Sequence, residues 1–360
     1  MERVYNFAPG PSTMPQEVLE TAAREMLCYG DSGMNVMEMS HRSKQYQAIF
    51  DETEATLRDL MHIPQDYSVL FLQGGATGQF AAIPMNLMTG SGRADYVDSG
   101  NFAHGALAEA KKYGQARCVA SSREDNYTYI PELNPADFDP QADYFYITTN
   151  NTIFGTRYAS LPETGNVPLV ADMSSNILSE VFDITRFGVA YAGAQKNVGP
   201  AGLTIVIVRR DLLGRAMPIT PKIMDWTIMT DKGSMLNTPP TYAIYLAGLC
   251  MKWLKKQGGV EAIEKVNIEK AKLLYDVLDD SDFYRAPVQK PFRSRMNVTF
   301  TTPDPDTDAA FVKAAAAEGM VNLKGHRLVG GIRASIYNAM PMAGVEKLAA
   351  FMKKFETENK

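Results

Sequence analysis

The chain has 360 residues, 45% of them hydrophobic and 21% charged, and a formal net charge of −5. This length and composition are ordinary for a soluble globular protein with one large and one smaller domain. The acidic balance argues against nucleic acid as the main partner, because phosphate backbones call for a basic protein surface.

The N-terminal part predicts an irregular arm followed by two helices. Residues 6–11, NFAPGP, are too rich in proline and glycine for regular structure. The first helix is predicted over residues 16–27, and Ser40 is predicted to cap the second. His41 and Arg42 would then lie in its first turn, where cations oppose the helix dipole unless an anion binds there. Two solvated side chains are an equally good interpretation of this pair.

From residue 68 to residue 208 the sequence alternates between strands and helices. Strands are predicted over 68–72, 95–98, 117–120, 144–148, 167–171, 189–193 and 203–208. Helices are predicted after the first two strands, the first ending at residue 88 and the second covering 101–113. This alternation predicts an α/β fold with a mostly parallel sheet, in which ligands bind beyond the carboxyl ends of the strands. The candidate site residues at or just after those ends are the turn 74–77, Phe102, Thr152, Asp172 and Lys196.

The turn after the first of these strands is rich in glycine. Residues 73–80 read QGGATGQF, and a strand, a glycine-rich turn and a helix can together hold a phosphate on free backbone N–H groups. The pattern is neither a dinucleotide-binding loop nor a nucleoside-triphosphate-binding loop. Glycines that only allow tight packing would give the same pattern.

Lys196 lies in a tight turn between two predicted strands, in the sequence YAGAQKNVGPAG. Small neighbours leave its amine little freedom, and partial desolvation favours the neutral, nucleophilic amine. Position alone would favour a surface lysine, which is the commoner case. Asp172, taken alone, is as consistent with a helix cap as with a ligand contact.

Together these residues meet the needs of pyridoxal 5'-phosphate (PLP). The cofactor needs a lysine that attacks its aldehyde and a carboxylate that keeps its pyridine nitrogen protonated. It also needs an anion-binding helix start and an aromatic ring for stacking. Lys196, Asp172, the turn 74–77 and Phe102 would supply these four groups.

The rest of the chain predicts a second, smaller α/β domain. A helix that opens at 209–213 and an irregular region over 219–234 precede a helix over 242–257. The pair Gly258-Gly259 is predicted to be the hinge, so that residues 16–258 form the large domain and residues 1–15 and 259–360 the small one. In the small domain we expect helices over 260–278, 311–318 and 344–355, a strand over 297–300 and a Pro/Asp loop over 304–308.

The cysteines and histidines argue against two kinds of site. Cys28, Cys118 and Cys250 are scattered and odd in number, which is typical of reduced thiols and not of a disulfide framework. The four histidines show no metal-ligand spacing, so no metal is expected. No apolar run approaches a signal core or a membrane span. The sequence therefore predicts a soluble cytoplasmic enzyme with neither nucleic acid nor membrane as a partner.

Several longer motifs resemble one enzyme family. The segments NFAPGP, VMEMSHRS, ADMSS, YAGAQKNVGPAGLTIV, SMLNTPPTY and KGHRLVGGIRASIYNAM extend over most of the chain and are similar to those of the phosphoserine aminotransferases. That family belongs to the fold-type I PLP-dependent transferases, in the class-V branch shared with serine–glyoxylate aminotransferases and cysteine desulfurases. The resemblance implies a homodimer whose cofactor site is shared across the interface.

The resemblance also implies a role for each residue of the cofactor site. Lys196 would bind PLP covalently and move protons, Asp172 would pair with the pyridine nitrogen, and Phe102 would stack on the ring. Thr152 would contact the ring hydroxyl. The residues that would hold the phosphate are Ala76, Thr77 and Gln195, together with Asn237 and Thr238 from the neighbouring subunit.

For the substrate, the resemblance implies a carboxylate site and a cationic pocket. Arg333 would bind the α-carboxylate with its bidentate guanidinium. The side-chain phosphate or γ-carboxylate would bind His41, Arg42, His326 and Arg327. Two residues differ from those of some relatives and could alter affinity. Thr77 stands in place of an arginine, and Pro9 stands in place of a serine. Phe102 stands where members often have tryptophan, which leaves a smaller stacking area.

The implied reaction is a reversible transamination. L-Glutamate would give up its amino group and leave as 2-oxoglutarate, and 3-phosphohydroxypyruvate would take that group to become O-phospho-L-serine, in L-serine biosynthesis. In bacteria the family also forms 4-phosphohydroxy-L-threonine on the pyridoxine route, and the sequence leaves open whether this chain does so.

Two other functions share part of these features. A cysteine desulfurase has the same fold and cofactor but needs a thiol on a mobile loop, whereas the three cysteines are predicted on a helix end, a strand and a helix. A cofactor-binding regulator would keep Lys196 and Asp172 without requiring the two His-Arg pairs. The presence of both pairs favours the enzyme, although an exposed basic loop is an alternative interpretation of His326-Arg327.

Overall fold

A seven-stranded sheet forms the centre of the computed structural model, which describes residues 3–360. The strands are β1 (Tyr5–Asn6), β2 (Tyr67–Leu72), β3 (Arg93–Asp98), β4 (Gln115–Ser121), β5 (Tyr144–Thr148), β6 (Asn150–Asn151), β7 (Thr156–Arg157), β8 (Leu169–Asp172), β9 (Val189–Gly193), β10 (Thr204–Arg209), β11 (Asn297–Phe300), β12 (Met320–Val321) and β13 (Ile332–Ser335). The α-helices are α1 (Gln16–Arg24), α2 (Lys44–Met61), α3 (Gly75–Leu87), α4 (Asn101–Ala110), α5 (Trp226–Asp231), α6 (Thr241–Lys256), α7 (Gly259–Asp279), α8 (Pro305–Ala317) and α9 (Met342–Asn359).

The order of strands in the central sheet is β2-β10-β9-β8-β5-β3-β4. Only β10 runs antiparallel to its neighbours, and the remaining pairs are parallel. The prediction of an α/β fold with a mostly parallel sheet is therefore confirmed. The carboxyl ends of β2, β3, β5, β8 and β9 all lie on one edge of the sheet, where ligands of such folds bind.

Both faces of this sheet are buried along β2, β5, β8, β9 and β10, which explains why these strands are mostly apolar. Along β5, Phe145 and Ile147 pack into the hydrophobic core on one face. Tyr144 and Tyr146 pack into the core on the other face, because successive side chains of a strand point to opposite sides.

A third hydrophobic core belongs to the C-terminal part of the chain. It contains side chains of α7, α8, α9, β11 and β13, and it also contains Phe7 from the N-terminal arm. β1 of the arm pairs in parallel with β12. The division at residues 258–259 stays a prediction.

The structure corrects four local predictions. Ser43, and not Ser40, caps α2, because its hydroxyl accepts the N–H of Tyr46. The region 219–234 contains the helix α5, whose start is capped by the Asp225 carboxylate. The predicted loop 304–308 contains the start of α8, with Asp304 as its cap. The helix predicted to open at 209–213 is a single 3₁₀ turn, Arg210–Leu212.

Among residues 3–360, no group of three or more His, Cys, Asp or Glu side chains could hold a metal ion. In the same range no helix is both long and apolar enough to cross a membrane. The three cysteines are unpaired.

Candidate active site

The strand ends enclose a cavity of about 280 Å³. Nine of the fourteen predicted site residues line it, namely Ala76, Thr77, Phe102, Thr152, Asp172, Gln195, Lys196, His326 and Arg333. The five that do not are His41, Arg42, Asn237, Thr238 and Arg327. The structure thus brings together the groups that a PLP site needs, together with one arginine and one histidine.

Lys196 follows β9 and points its amine into the cavity. Its Nζ donates to the Thr152 hydroxyl at 2.6 Å and lies 5.8 Å from the centre of the Phe102 ring. The side chain is half-buried and lines the cavity. Burial lowers the pKa of Lys196 to about 8, the Arg333 charge adds to this effect, and Asp172 opposes it. This amine is therefore half neutral at about pH 8 and about one-tenth neutral at pH 7.

Small residues are required in the turn that carries Lys196. A Cβ atom at Gly193 would lie 2.6 Å from Oε1 of Gln195, so only glycine fits there without a shift. The N–H of Gly193 donates to the Ser174 hydroxyl at 3.0 Å, and the N–H of Ala194 donates to the carbonyl of Leu203 at 2.9 Å. The turn is thereby fixed to both neighbouring segments.

Asp172 is the last residue of β8 and is 4% exposed. One carboxylate oxygen accepts the N–H of Ser174 at 2.8 Å. Burial raises the pKa of Tyr146 and of Tyr191 beneath the site, and the negative charge of Asp172 raises both further. Within residues 3–360 Asp172 has no ion-pair partner at salt-bridge distance, so it can serve a cationic group of a ligand.

The start of α3 is built to bind an anion. Gly74 and Gly75 have φ values of 94° and 64°, which turn the chain sharply from β2 into the helix. The N–H groups of Gly75, Ala76 and Thr77 donate to no protein acceptor in the part of the chain that the structure describes. All three residues line the cavity. Free N–H groups at a helix start bind phosphate well.

Arg333 is a buried cation without an acidic partner. It lies in β13, is 5% exposed, and donates from Nη1 to the carbonyl oxygen of Thr152 at 3.2 Å. Its Nε has no hydrogen-bond partner, and no carboxylate of residues 3–360 pairs with it. Burial lowers the pKa of this guanidinium. Because a buried charge needs a counter-charge, the cavity calls for an anionic ligand at Arg333.

Phe102 and His326 complete the cavity walls. Phe102, in the first turn of α4, is 37% exposed, which leaves an aromatic face free for a flat ligand. Burial lowers the pKa of His326, and the charges of Arg333 and Arg327 lower it further. His326 is thus a hydrogen-bonding group that gains a proton more readily once an anion is bound beside it.

The five remaining predicted residues lie away from this cavity. His41 and Arg42 stand in the turn before α2, and Arg327 is exposed beside His326. Asn237 lines a smaller, separate cavity, and the carbonyl of Thr238 accepts from the Gln73 side chain at 3.3 Å.

Sequence reasoning missed four buried polar residues of the cavity, two of which, Asn150 and Ser175, bond to each other. The amide of Asn150 donates to the Ser175 hydroxyl at 2.8 Å and to the side-chain oxygen of Asn297 at 2.9 Å. Both residues follow strand ends closely, so the rule that predicted Thr152 and Asp172 could have found them.

The residues of this cavity fit PLP. Lys196 supplies an amine that loses its proton near pH 8, Asp172 a carboxylate without an ion pair, α3 three free N–H groups, and Phe102 an open aromatic face. The unpartnered Arg333 guanidinium remains for a second anionic ligand, as an amino-acid carboxylate would be.

Comparisons with known proteins agree with this geometry. The family model for class-V aminotransferases matches residues 4–348. The phosphoserine aminotransferase of Nitrosomonas europaea is 54% identical over 364 residues, which is 99% of each chain. The solved phosphoserine aminotransferase of Bacillus circulans subsp. alkalophilus is 45% identical, with a TM-score of 0.97 and 100% of both chains covered. The solved PLP-bound phosphoserine aminotransferase of Trichomonas vaginalis is 38% identical, with a TM-score of 0.93, and the match covers 98% of this chain and 100% of that one.

Proposed function

Because the chain belongs to the class-V aminotransferase family, we propose that it transfers an amino group reversibly between L-glutamate and 3-phosphohydroxypyruvate. The products are 2-oxoglutarate and O-phospho-L-serine, and the reaction belongs to L-serine biosynthesis. The predictions of a PLP-dependent aminotransferase and of fold type I are confirmed. The observation that carries the proposal is the buried Arg333, unpaired with any acid of residues 3–360, in one cavity with Lys196.

The cofactor would be held by the groups that already converge on the cavity. Lys196 would bond to its aldehyde carbon, the start of α3 with Ala76, Thr77 and Gln195 would hold its phosphate, and Phe102 would cover its ring. Asp172 would keep the pyridine nitrogen protonated, and Thr152 would contact the ring hydroxyl. When bound, PLP withdraws electrons from the amino acid, so that the α-carbon can lose a proton.

Lys196 moves that proton. With a pKa near 8 its amine can take a proton from the substrate α-carbon and deliver it to a different atom without a large energetic penalty. The hydrogen bond to Thr152 orients the amine, and the apolar face of Phe102 keeps water from one side of it.

Arg333 orients the substrate by its α-carboxylate. The guanidinium gains the anionic partner that it lacks among residues 3–360, and its bidentate geometry fixes the direction of the α-carbon. His326 at the cavity wall, with His41, Arg42 and Arg327, binds the side-chain phosphate or γ-carboxylate. Arg and His donors suit both groups, whereas an apolar pocket would reject both.

The active form is a homodimer with a shared site. Asn237, Thr238, His41 and Arg42 lie away from the cavity of their own chain, which favours a role in the cavity of a second copy. The segment that precedes His41 exposes four large apolar side chains, Met26, Leu27, Met34 and Met37, of which Leu27 is 88% exposed. Exposed apolar residues close together in the chain are typical of a protein interface.

Two finer points complete the proposal. The enzyme is cytoplasmic, in keeping with its three unpaired cysteines. It also forms 4-phosphohydroxy-L-threonine, whose phosphate would bind the same cationic side chains. The desulfurase alternative loses support, because Cys28, Cys118 and Cys250 are absent from the described residues that line the cavity.

The visible spectrum of the purified protein tests the proposal. Adding O-phospho-L-serine without a keto acid is expected to convert bound PLP to its amino form, pyridoxamine phosphate, while unphosphorylated serine does far less. A spectrum that responds to glutamate but not to phosphoserine would overturn the phosphate pocket and keep the aminotransferase. Lys196→Ala is the control, since it removes the covalent bond to the cofactor and abolishes the response.

A further inference from the structure

The N-terminal arm, defined here as residues 5–12, joins the strand of Arg333 to the turn of Lys196. Near the start of the arm, Phe7 is fully buried in the C-terminal core, and its carbonyl accepts the N–H of Ser335 at 3.2 Å. At the other end, the N–H of Ser12 donates to the carbonyl of Gln195 at 3.0 Å. The arm therefore links the backbone of the strand that carries Arg333 to the turn that carries Lys196.

Ser12 holds the main chain of Lys196 itself. Its hydroxyl donates to the carbonyl oxygen of Lys196 at 2.5 Å. Gly10 lies close by, since a Cβ atom there would be 3.3 Å from Cγ of both Gln195 and Lys196. The arm thus limits where the aliphatic part of Lys196 can move.

Tyr337 holds the arm from the opposite side. Its hydroxyl donates to the carbonyl of Pro9 at 2.7 Å and accepts the amide of Asn297 at 3.1 Å. The same amide donates to the Ser335 hydroxyl at 3.0 Å. Tyr337 and Asn297 are both buried, so these bonds are protected from competing water.

We propose that Ser12 and Tyr337 are positioning residues, which act through the arm to fix Lys196 relative to Arg333. Neither is among the residues that line the cavity, whereas Pro9 and Gly10 of the arm are. The inference rests on the roles proposed above for Lys196 and Arg333. Because a lysine displaced by a fraction of an ångström reaches the substrate α-carbon less often, loosening the arm lowers kcat more than it raises KM.

The first test is Ser12→Ala. Losing one hydrogen bond to the lysine carbonyl is expected to lower kcat roughly three- to tenfold, with the KM for glutamate changed less than about twofold. The pH midpoint of the holoenzyme's visible absorbance is expected to shift, because Lys196 is then less firmly held in its desolvated position. Ser12→Thr keeps a hydroxyl and should restore both values.

Thr13→Ala is the matched control for Ser12→Ala. Thr13 is the next residue, and its hydroxyl donates to the carbonyl of Asn6 in the arm, and not to Lys196, at 2.9 Å. Its loss should leave kcat and the pH midpoint unchanged. Equal effects of Thr13→Ala and Ser12→Ala would overturn a specific role for Ser12.

The second test is Tyr337→Phe, with Tyr284→Phe as its control. Both tyrosines are buried and donate to a backbone carbonyl, but Tyr284 donates to Met352 at 2.8 Å, within the C-terminal core. Only Tyr337→Phe should lower kcat and shift the pH midpoint. In the double variant Ser12→Ala/Tyr337→Phe, the fold-loss of kcat should be smaller than the product of the two single fold-losses. The pH titration needs no substrate, so it tests the positioning of Lys196 independently of which substrate the enzyme uses. Wild-type midpoints in both variants would overturn this inference, whereas a holoenzyme inert to phosphoserine would overturn the proposed substrate.

Discussion

Thr152 contacts both cations of the cavity. Its hydroxyl accepts from Lys196 at 2.6 Å, and its carbonyl accepts from Arg333 at 3.2 Å. Two positive groups that share one residue repel each other, and this repulsion contributes to the lowered pKa of Lys196. An anion bound at Arg333 cancels part of that repulsion, so the protonation of Lys196 is coupled to substrate binding.

We therefore expect the charges around Lys196 to set its pKa in opposite directions. In the cofactor-free enzyme its amine should lose its proton near pH 8, and not near the ordinary value of 10.5. Arg333→Met removes a like charge and should raise this pKa, whereas Asp172→Asn removes an opposite charge and should lower it further. The rate of acetylation of Lys196, followed by mass spectrometry across a pH series, measures its pKa in the wild type and in the two variants. A midpoint near the ordinary value in every protein would contradict the expectation.

At the scale of elements, strand ends were predictable and some helix starts were not. Lys196 and Asp172 follow apolar runs bounded by polar or small residues, so their place on the sheet edge could be inferred from the sequence. Asp304-Pro305 has turn chemistry that also suits a helix cap followed by a first-turn proline, and the helical interpretation is the correct one. The six residues of α5 are too few for a recognisable period.

The contact of the N-terminal arm with the turn of Lys196 could not be predicted from the sequence. The bond from Ser12 to Lys196 joins residues 184 positions apart, and the arm itself has no periodic pattern. Such a contact depends on the tertiary arrangement of several elements and leaves no local signal.

A buried lysine stabilises another element of the C-terminal part. Lys270 of α7 is fully buried and donates to the carbonyls of Ile336 at 3.0 Å, Tyr337 at 2.8 Å and Met340 at 3.2 Å. In its charged form, its three N–H donors match three acceptors in the turn that follows β13. Lys270 thereby fixes the backbone of Tyr337.

Lys270→Met is expected to lower the free energy of unfolding by about 2 kcal/mol, because three buried carbonyls lose their donor. Burial lowers the pKa of Lys270 from 10.5 to about 7. Between these values the unfolded chain binds more protons than the folded one, so the stability of the wild type rises with pH there. The deficit of the variant should therefore grow from about pH 7 to about pH 10.

Urea unfolding of both proteins at several pH values tests this expectation. Lys272→Met is the control, since Lys272 lies on the same helix but is exposed and paired with Asp276, and little change is expected. A deficit that stays constant with pH would show that Lys270 does not titrate in this range.

At the scale of the whole molecule, the shared site that we propose predicts complementation between two variants that are each expected to be inactive. In a mixture of Lys196→Ala with the double variant Asn237→Ala/Thr238→Ala, each heterodimer should contain one intact site. Random exchange of subunits makes half of the dimers mixed, so about a quarter of the wild-type activity should return.

The measurement is activity after the two proteins are unfolded together and refolded with PLP. The same proteins refolded separately and then combined on ice provide the control. No recovery in the co-refolded sample, with dimers present by light scattering, would argue that each chain completes its own site.

The pairing of β1 with β12 also has a consequence for synthesis on the ribosome. Tyr5 emerges among the first residues, but its partner Met320 emerges only when most of the chain has been made. The arm must stay unpaired during that interval, although the central sheet, complete by residue 209, can already form. The wall that Pro9 and Gly10 contribute is therefore added late, as are His326 and Arg333. Nascent chains stalled before β12 should carry a formed sheet that retains the cofactor poorly.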